Sequence, residues 1–219
     1  MTDRLELKRD ILAYLAGAGA DGELSDDEFR RLQDLIERIE AEAPYVPSER
    51  QDLIAGNWQT AFASFGAKHS AGKSRAHVSN LAIQSFNHLP AAAIQVTDIR
   101  QEIDPGTAIY SNVILFTAEG GAEGQLIIHG TYKLDAERPR RFHISFDRAE
   151  LRPGSSASEA ALKQALGLAE DASTDVSFQP PKLWSDITYV DESLRINKGN
   201  FGGVYVMERC DEPMISVRS

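Results

Sequence analysis

Residues Trp184 to Arg209 read WSDITYVDESLRINKGNFGGVYVMER, and this stretch decides the fold. It spells strand, turn, strand, glycine turn, strand. Asp191-Glu192-Ser193 makes the first reversal. Gly199-Asn200 with Gly202-Gly203 makes the second, where glycine supplies positive φ at low cost. Leu194 and Ile196 share one face of the middle strand, so Arg195 points to the other.

The same pattern continues upstream. NWQTAFASF is the first strand after Gly56, and AIQVTDIRQEI and TAIYSNVILF flank the turn Asp104-Pro105-Gly106. In GQLIIHGTYKL, Leu126, Ile128, Gly130 and Tyr132 alternate with Gln125, His129 and Thr131. In RRFHISFDRAEL, Phe142, Ile144 and Phe146 alternate with His143, Ser145 and Asp147. A period of two marks half-buried antiparallel strands. Two helices come before them. Leu7, Ile11, Tyr14 and Leu15 share a face. A second helix starts at the capping box Ser25–Glu28 and carries Phe29, Leu32, Ile36 and Ile39 before Pro44 and Pro47 stop it. The expected architecture is mainly β: an antiparallel barrel over 48–219, preceded by a helical segment over 1–47 packed on it. A helix near 156–171 is inserted late.

The bulk properties limit the function. The chain has 219 residues and a net charge of −10, and residues 1–55 hold 7 Lys+Arg against 14 Asp+Glu. Such a balance argues against nucleic acid, which needs a basic stripe to displace counterions. It also argues against attraction to anionic lipid surfaces by bulk charge. The single cysteine, Cys210, forbids an internal disulfide and fits a cytoplasmic setting. The first residues, MTDRLELKRD, read as neither a secretory signal nor a basic transit peptide.

Two motifs imitate chemistry. Ala67-Lys68-His69-Ser70-Ala71-Gly72-Lys73-Ser74 is one glycine short of a phosphate-cradling loop, although a hydrophobic run with Trp58 and Phe62 precedes it. That loop needs a helix directly after it, and RAHVSNLAIQSFNHLP has no helical period, so a polar hairpin connection and no nucleotide are expected. ADGELSDDEF resembles half of a calcium loop. Gly17 and Gly19 would occupy the first ligand positions and offer no carboxylate, so no metal is expected. His69, His77, His88, His129 and His143 show no ligand spacing. Cys210 lies beside Asp211 and Glu212, whose charge disfavours a thiolate, and no serine sits in a G-x-S-x-G elbow. These features point away from an enzyme and from a cofactor.

The closing stretch resembles the C-terminal signature of the plastid lipid-associated protein (PAP)/fibrillin family, approximately T-Y-L-D-E-x-L-R-I-x-[RK]-G-x-x-G-x-x-[FY]-V. Thr188-Tyr189, Asp191-Glu192, Leu194-Arg195-Ile196, Lys198-Gly199, Gly202 and Val206 match it. Val190 replaces the usual leucine, and Tyr205 stands one place before the pattern's aromatic. Leu53, Gly56 and Trp58 resemble the opening of the family's barrel, with Phe62-Ala63-Ser64 in place of its Y-T-S. Gln101–Asp104 and Asn112-Val113 resemble its mid-chain pattern. Without a transit peptide, the chain is expected to be a bacterial relative.

The resemblance implies a lipocalin-like (calycin) barrel that binds or carries a hydrophobic small molecule, such as a lipid, carotenoid or isoprenoid quinone, without catalysis. It implies action at or near a membrane, an inner or photosynthetic one for a protein of the cytoplasm, with a peripheral membrane or protein partner. The cavity candidates are Trp58, Phe62, Val113, Leu126, Ile128, Tyr132, Phe142, Ile144, Phe146 and Tyr189. Gly56, Trp58, Asp191, Arg195, Gly199 and Gly202 form the structural signature. Lipocalins cover their tryptophan with an arginine from the end of the barrel. Arg195 is the candidate to cover Trp58, with Arg209 in reserve. The alternative is an interaction or structural module coating lipid assemblies, with a filled barrel and no ligand.

Overall fold

A computed structural model describes residues 4–17, 24–65, 68–71, 94–180 and 182–216. Two helices open the chain: α1, Arg4–Ala16, and α2, Asp26–Ala41. The α2 capping box is present. The Ser25 side chain accepts the Glu28 N–H at 3.3 Å, and Glu28 Oε2 accepts the Ser25 N–H at 2.8 Å. Ser25 and Glu28 therefore start a helix. Residues 18–23, the rest of the calcium-loop reading, lie outside the described residues.

A one-turn helix, α3 (Gln51–Ile54), leads into β1, Gly56–Phe65, whose end pairs with the short β2, Lys68–Ala71. Gly72-Lys73-Ser74, the heart of the phosphate-loop reading, lies outside the described residues, as do residues 75–93. Long antiparallel strands follow: β3 Ile94–Asp104, β4 Ile109–Ala118, β5 Glu123–Leu134 and β6 Arg141–Pro153. After β6 come α4 (Glu159–Ala165) and the short β7 (Asp175–Ser177). The inserted helix is shorter than 156–171 because Ser158 caps its start, accepting from the Ala161 N–H, and Gly167 follows closely on its end. The chain finishes with β8 Leu183–Val190, β9 Leu194–Gly199 and β10 Val204–Cys210. Asp191 organises the β8–β9 turn, accepting the backbone N–H groups of Ser193 and Leu194. In the β9–β10 turn only Gly202 has positive φ, at 74°; Gly199 is extended, so the expectation that it too supplies a positive φ is corrected.

Strands β1, β3, β4, β5, β6, β8, β9 and β10 form a closed eight-strand antiparallel barrel, sealed where β10 pairs with β1. Closure leaves those strands no free edge along the seam. β2 and β7 are short additions to β1 and β6. Two apolar clusters hold the molecule. One lines the barrel interior and its ends, with Trp58, Tyr110, Ile128, Phe142 and Phe146 among its members. The other lies between the helices and the outside of β1, β8, β9 and β10, and joins Leu7, Ile11, Leu32, Ile36 and Ile39 to Phe62, Tyr189, Leu194, Ile196 and Val206. Each such aliphatic side chain stabilises by about 1.5–3 kcal/mol when fully buried, so this outer cluster fixes the helices to the barrel. Ion pairs reinforce it: Lys8 to Asp191 at 2.9 Å and Lys198 to Glu40 at 2.6 Å.

Past β10, residues 211–216 cross the outer face of β3. The buried Glu102 carboxylate accepts the backbone N–H groups of Ile215 and Ser216, each at 2.6 Å. Arg100 donates to Glu212 at 2.7 Å, and Arg152 donates to the Ile215 carbonyl at 2.9 Å.

Candidate ligand-binding site in the barrel interior

The alternation of β5 and β6 delivers what the sequence promises. Leu126, Ile128 and Tyr132 from β5 join Phe142, Ile144 and Phe146 from β6 in the barrel cluster. Their rings meet those of β4: Tyr110 lies edge-on to Tyr132 at 6.3 Å and to Phe146 at 6.2 Å, and Tyr132 packs on Phe142 at 5.1 Å. Trp58 enters from β1 and is fully buried, its indole Nε1 donating to the Ile54 carbonyl at 2.9 Å.

Three cavity candidates lie elsewhere. Phe62 and Tyr189 belong to the helix-facing cluster: Phe62 stacks on Phe29 at 5.7 Å, and the Tyr189 hydroxyl donates to Asp191 at 2.8 Å. Both follow a bulge. The register shifts between Thr60 and Phe62 and again between Ile187 and Tyr189, and one extra residue turns every later side chain to the opposite face. Val113 alternates with the inward Tyr110, Ile114 and Phe116, so it faces outward, cross-strand from the equally buried Ile127. Phe62, Tyr189 and Val113 are therefore corrected from lining residues to members of the barrel's outer packing.

Two arginines cover Trp58. The Arg209 guanidinium lies 4.4 Å from the ring centroid and that of Arg195 lies 4.9 Å away. A cation over an indole face is attracted by the ring quadrupole. Arg209 also donates to the carbonyls of Ala55 at 2.7 Å, Glu192 at 2.6 Å and Leu53, clipping the approach to β1 onto the β8–β9 turn. Gly56 makes room for it: the residue has φ 108°, and a Cβ there would lie 3.0 Å from Arg209 Nη1.

Arg195 extends inward because Leu194 and Ile196 are turned out to the helices, and no part of it reaches solvent. Around it sits a polar group that the sequence reading missed. Arg195 Nη2 donates to Gln101 Oε1 at 2.6 Å, and the Tyr110 hydroxyl donates to the same oxygen at 2.8 Å. Asn197 Nδ2 donates to the Ser185 hydroxyl at 3.2 Å. Burial pushes the Arg195 pKa down to about 10; Tyr110 opposes that shift and Arg209 adds to it. The guanidinium is still cationic at neutral pH. Burial likewise raises the Tyr110 pKa, keeping the phenol neutral. The members of this group come from two hairpins, β3–β4 and β8–β9, that lie far apart in sequence, so no local motif announces them.

The two described histidine side chains are held by carboxylates on the outside, His129 by Glu150 at 2.9 Å and His143 by Asp135 at 2.8 Å. Among the described residues no cluster of His, Cys, Asp and Glu could hold a metal ion. No helix among them is long and apolar enough to cross a membrane.

Fold and interior together define a lipocalin-like barrel, with an apolar lining, a buried polar group at the tryptophan end and a helical buttress. The chain belongs to the PAP/fibrillin family, whose sequence model (PAP_fibrillin) matches residues 5–208. It is 23% identical to plastid lipid-associated protein 2, chloroplastic, of Brassica campestris, over 96% of this chain and 70% of that protein. The probable plastid-lipid-associated protein 2 of Arabidopsis thaliana is 24% identical, with coverages of 96% and 72%. The chromoplast-specific carotenoid-associated protein C1 of an Oncidium hybrid cultivar is 22% identical, with coverages of 96% and 71%. No solved structure matches the chain significantly.

Proposed function

We propose that the protein is a non-catalytic binder or carrier of a hydrophobic small molecule (a lipid, carotenoid or isoprenoid quinone) held in the barrel, acting in the cytoplasm at or near a membrane. The observation that carries this reading is the inward face of β4, β5 and β6, where Tyr110, Leu126, Ile128, Tyr132, Phe142, Ile144 and Phe146 form one apolar wall. An eight-strand barrel is just wide enough to hold one small ligand. The lipid- and carotenoid-associated names of the relatives support the same class of molecule. The test is mass spectrometry of an organic extract of the natively purified protein. A stoichiometric apolar molecule is the expected result, and an extract holding none refutes the reading.

A second reading has its own observation. The contacts among Tyr110, Tyr132, Phe142 and Phe146 are at ordinary ring-packing distances, as in a filled core. On that reading the barrel is scaffold, and the acidic helices α1 and α2 dock a protein or coat a lipid assembly.

A further inference from the structure

Among the described residues, the barrel interior contains a cation without a counter-ion. Arg195 is fully buried, and the charged or titratable groups that act on it are Tyr110 and Arg209, neither a carboxylate. One of its three nitrogens is engaged: Nη2 donates to Gln101 Oε1 and lies 2.8 Å from Met207 Sδ. Nε and Nη1 are buried with no hydrogen-bond partner among the described residues. Two neighbouring side chains are also incompletely satisfied. Asn197 Oδ1 and the Oδ1 of Asn112, which stands cross-strand from Gln101, have none either.

Proteins do not bury a charge this way without compensation. An isolated buried ion loses its hydration; the Trp58 ring beside Arg195 offsets part of that loss, and the rest calls for an opposite charge or further hydrogen bonds. Three other arginines that are largely shielded from solvent keep that rule: Arg100 pairs with Asp98 and Glu212, Arg141 with Asp186, and Arg152 with Glu150. Arg195 departs from it at the one place where the polar group meets the apolar wall. Tyr110 joins the two regions, because its hydroxyl bonds Gln101 while its ring touches Tyr132 and Phe146.

We propose that Arg195 is the anchor for the carboxylate of a single-chain amphiphile, a fatty acid in chemical class. Its head group accepts from the unengaged guanidinium hydrogens, and its tail runs past Tyr110 along Ile128, Tyr132, Phe142, Ile144 and Phe146. The head-group site rests on the carrier reading and sharpens it. A carotenoid hydrocarbon has nothing to offer a guanidinium. A quinone offers a neutral acceptor, which is bound less strongly than a charged one.

The experiment titrates the full chain at pH 8 with cis-parinaric acid, a fluorescent fatty acid, and with its methyl ester. The acid is expected to bind about ten-fold or more tightly than the ester, as for a charge-assisted hydrogen bond. Arg195→Met and Arg195→Gln, each checked by a melting curve, are expected to lower acid affinity to the ester's level and to leave ester affinity unchanged. Equal binding of acid and ester by the parent protein overturns the anchor while leaving the carrier reading intact. So does a folded Arg195 variant that keeps the preference for acid. If neither variant folds, the acid-to-ester ratio of the parent decides. Binding of neither probe, with no apolar molecule in the native extract, overturns the carrier reading and the anchor with it.

Discussion

Trp58 is the residue on which most of the local order converges. Its indole sits under two guanidinium groups, donates to Ile54, and packs against the end of the barrel core. Replacing a buried aromatic by alanine costs about 3–5 kcal/mol. Trp58→Ala is therefore expected to lower the melting temperature by many degrees in a calorimetric or circular-dichroism melt, and a change within error would contradict its place in the core. The sequence made the tryptophan legible through the glycine two residues before it. It left open which arginine covers the ring, and the structure brings both. Arg195 was readable as opposite to Leu194 and Ile196, but alternation alone does not say which face is the inside. That answer depends on the helices, which claim the aliphatic face and leave the charged one to the barrel.

At the scale of the element, the helices are tied to the barrel through the β8–β9 turn. Asp191 accepts from Lys8, the Tyr189 hydroxyl and two turn N–H groups. Burial alone would raise its pKa, yet these hydrogen bonds outweigh burial and hold it below the usual carboxylate range. The folded carboxyl thus binds a proton less readily than the unfolded one. Its stabilisation is complete above the unfolded value of about 3.9 and is lost as pH falls through the lower, folded value. Asp191→Asn is expected to cost about 2 kcal/mol at pH 7. The gap between variant and parent should narrow by pH 3. Urea midpoints at the two pH values measure it, and a gap that stays constant would remove Asp191 from the linkage. Elements were also where sequence reading was most accurate, since the strands of the barrel and both helices follow their periods. The faces of Phe62 and Tyr189 were misread because a bulge before each inserts one residue and reverses the faces without changing the composition of the strand; Val113 was misread because β4 is buried on both faces, so its pattern does not mark the inside.

For the molecule as a whole, the two readings differ in how much of the barrel its own side chains occupy. Ile128→Trp separates the two readings. If the interior accepts a ligand, the added ring is expected to abolish binding of a fluorescent fatty acid or quinone while the fold survives. If the barrel is filled, the same change overpacks it and costs about 1–3 kcal/mol, with no binding to lose. A binding titration beside a melting curve distinguishes the outcomes. The seam between β1 and β10 carries a further consequence, for the order of events during synthesis. Asn57 pairs with Cys210, and the surface that receives α1 and α2 is built largely from Tyr189, Leu194, Ile196, Val204 and Val206. The helices leave the ribosome well before their docking surface is translated. At about 5–20 residues per second, their apolar stripes stay without that surface for on the order of ten seconds or more. Over that interval the stripes are exposed apolar surface of the kind that makes a nascent chain prone to aggregate, until β8, β9 and β10 cover them.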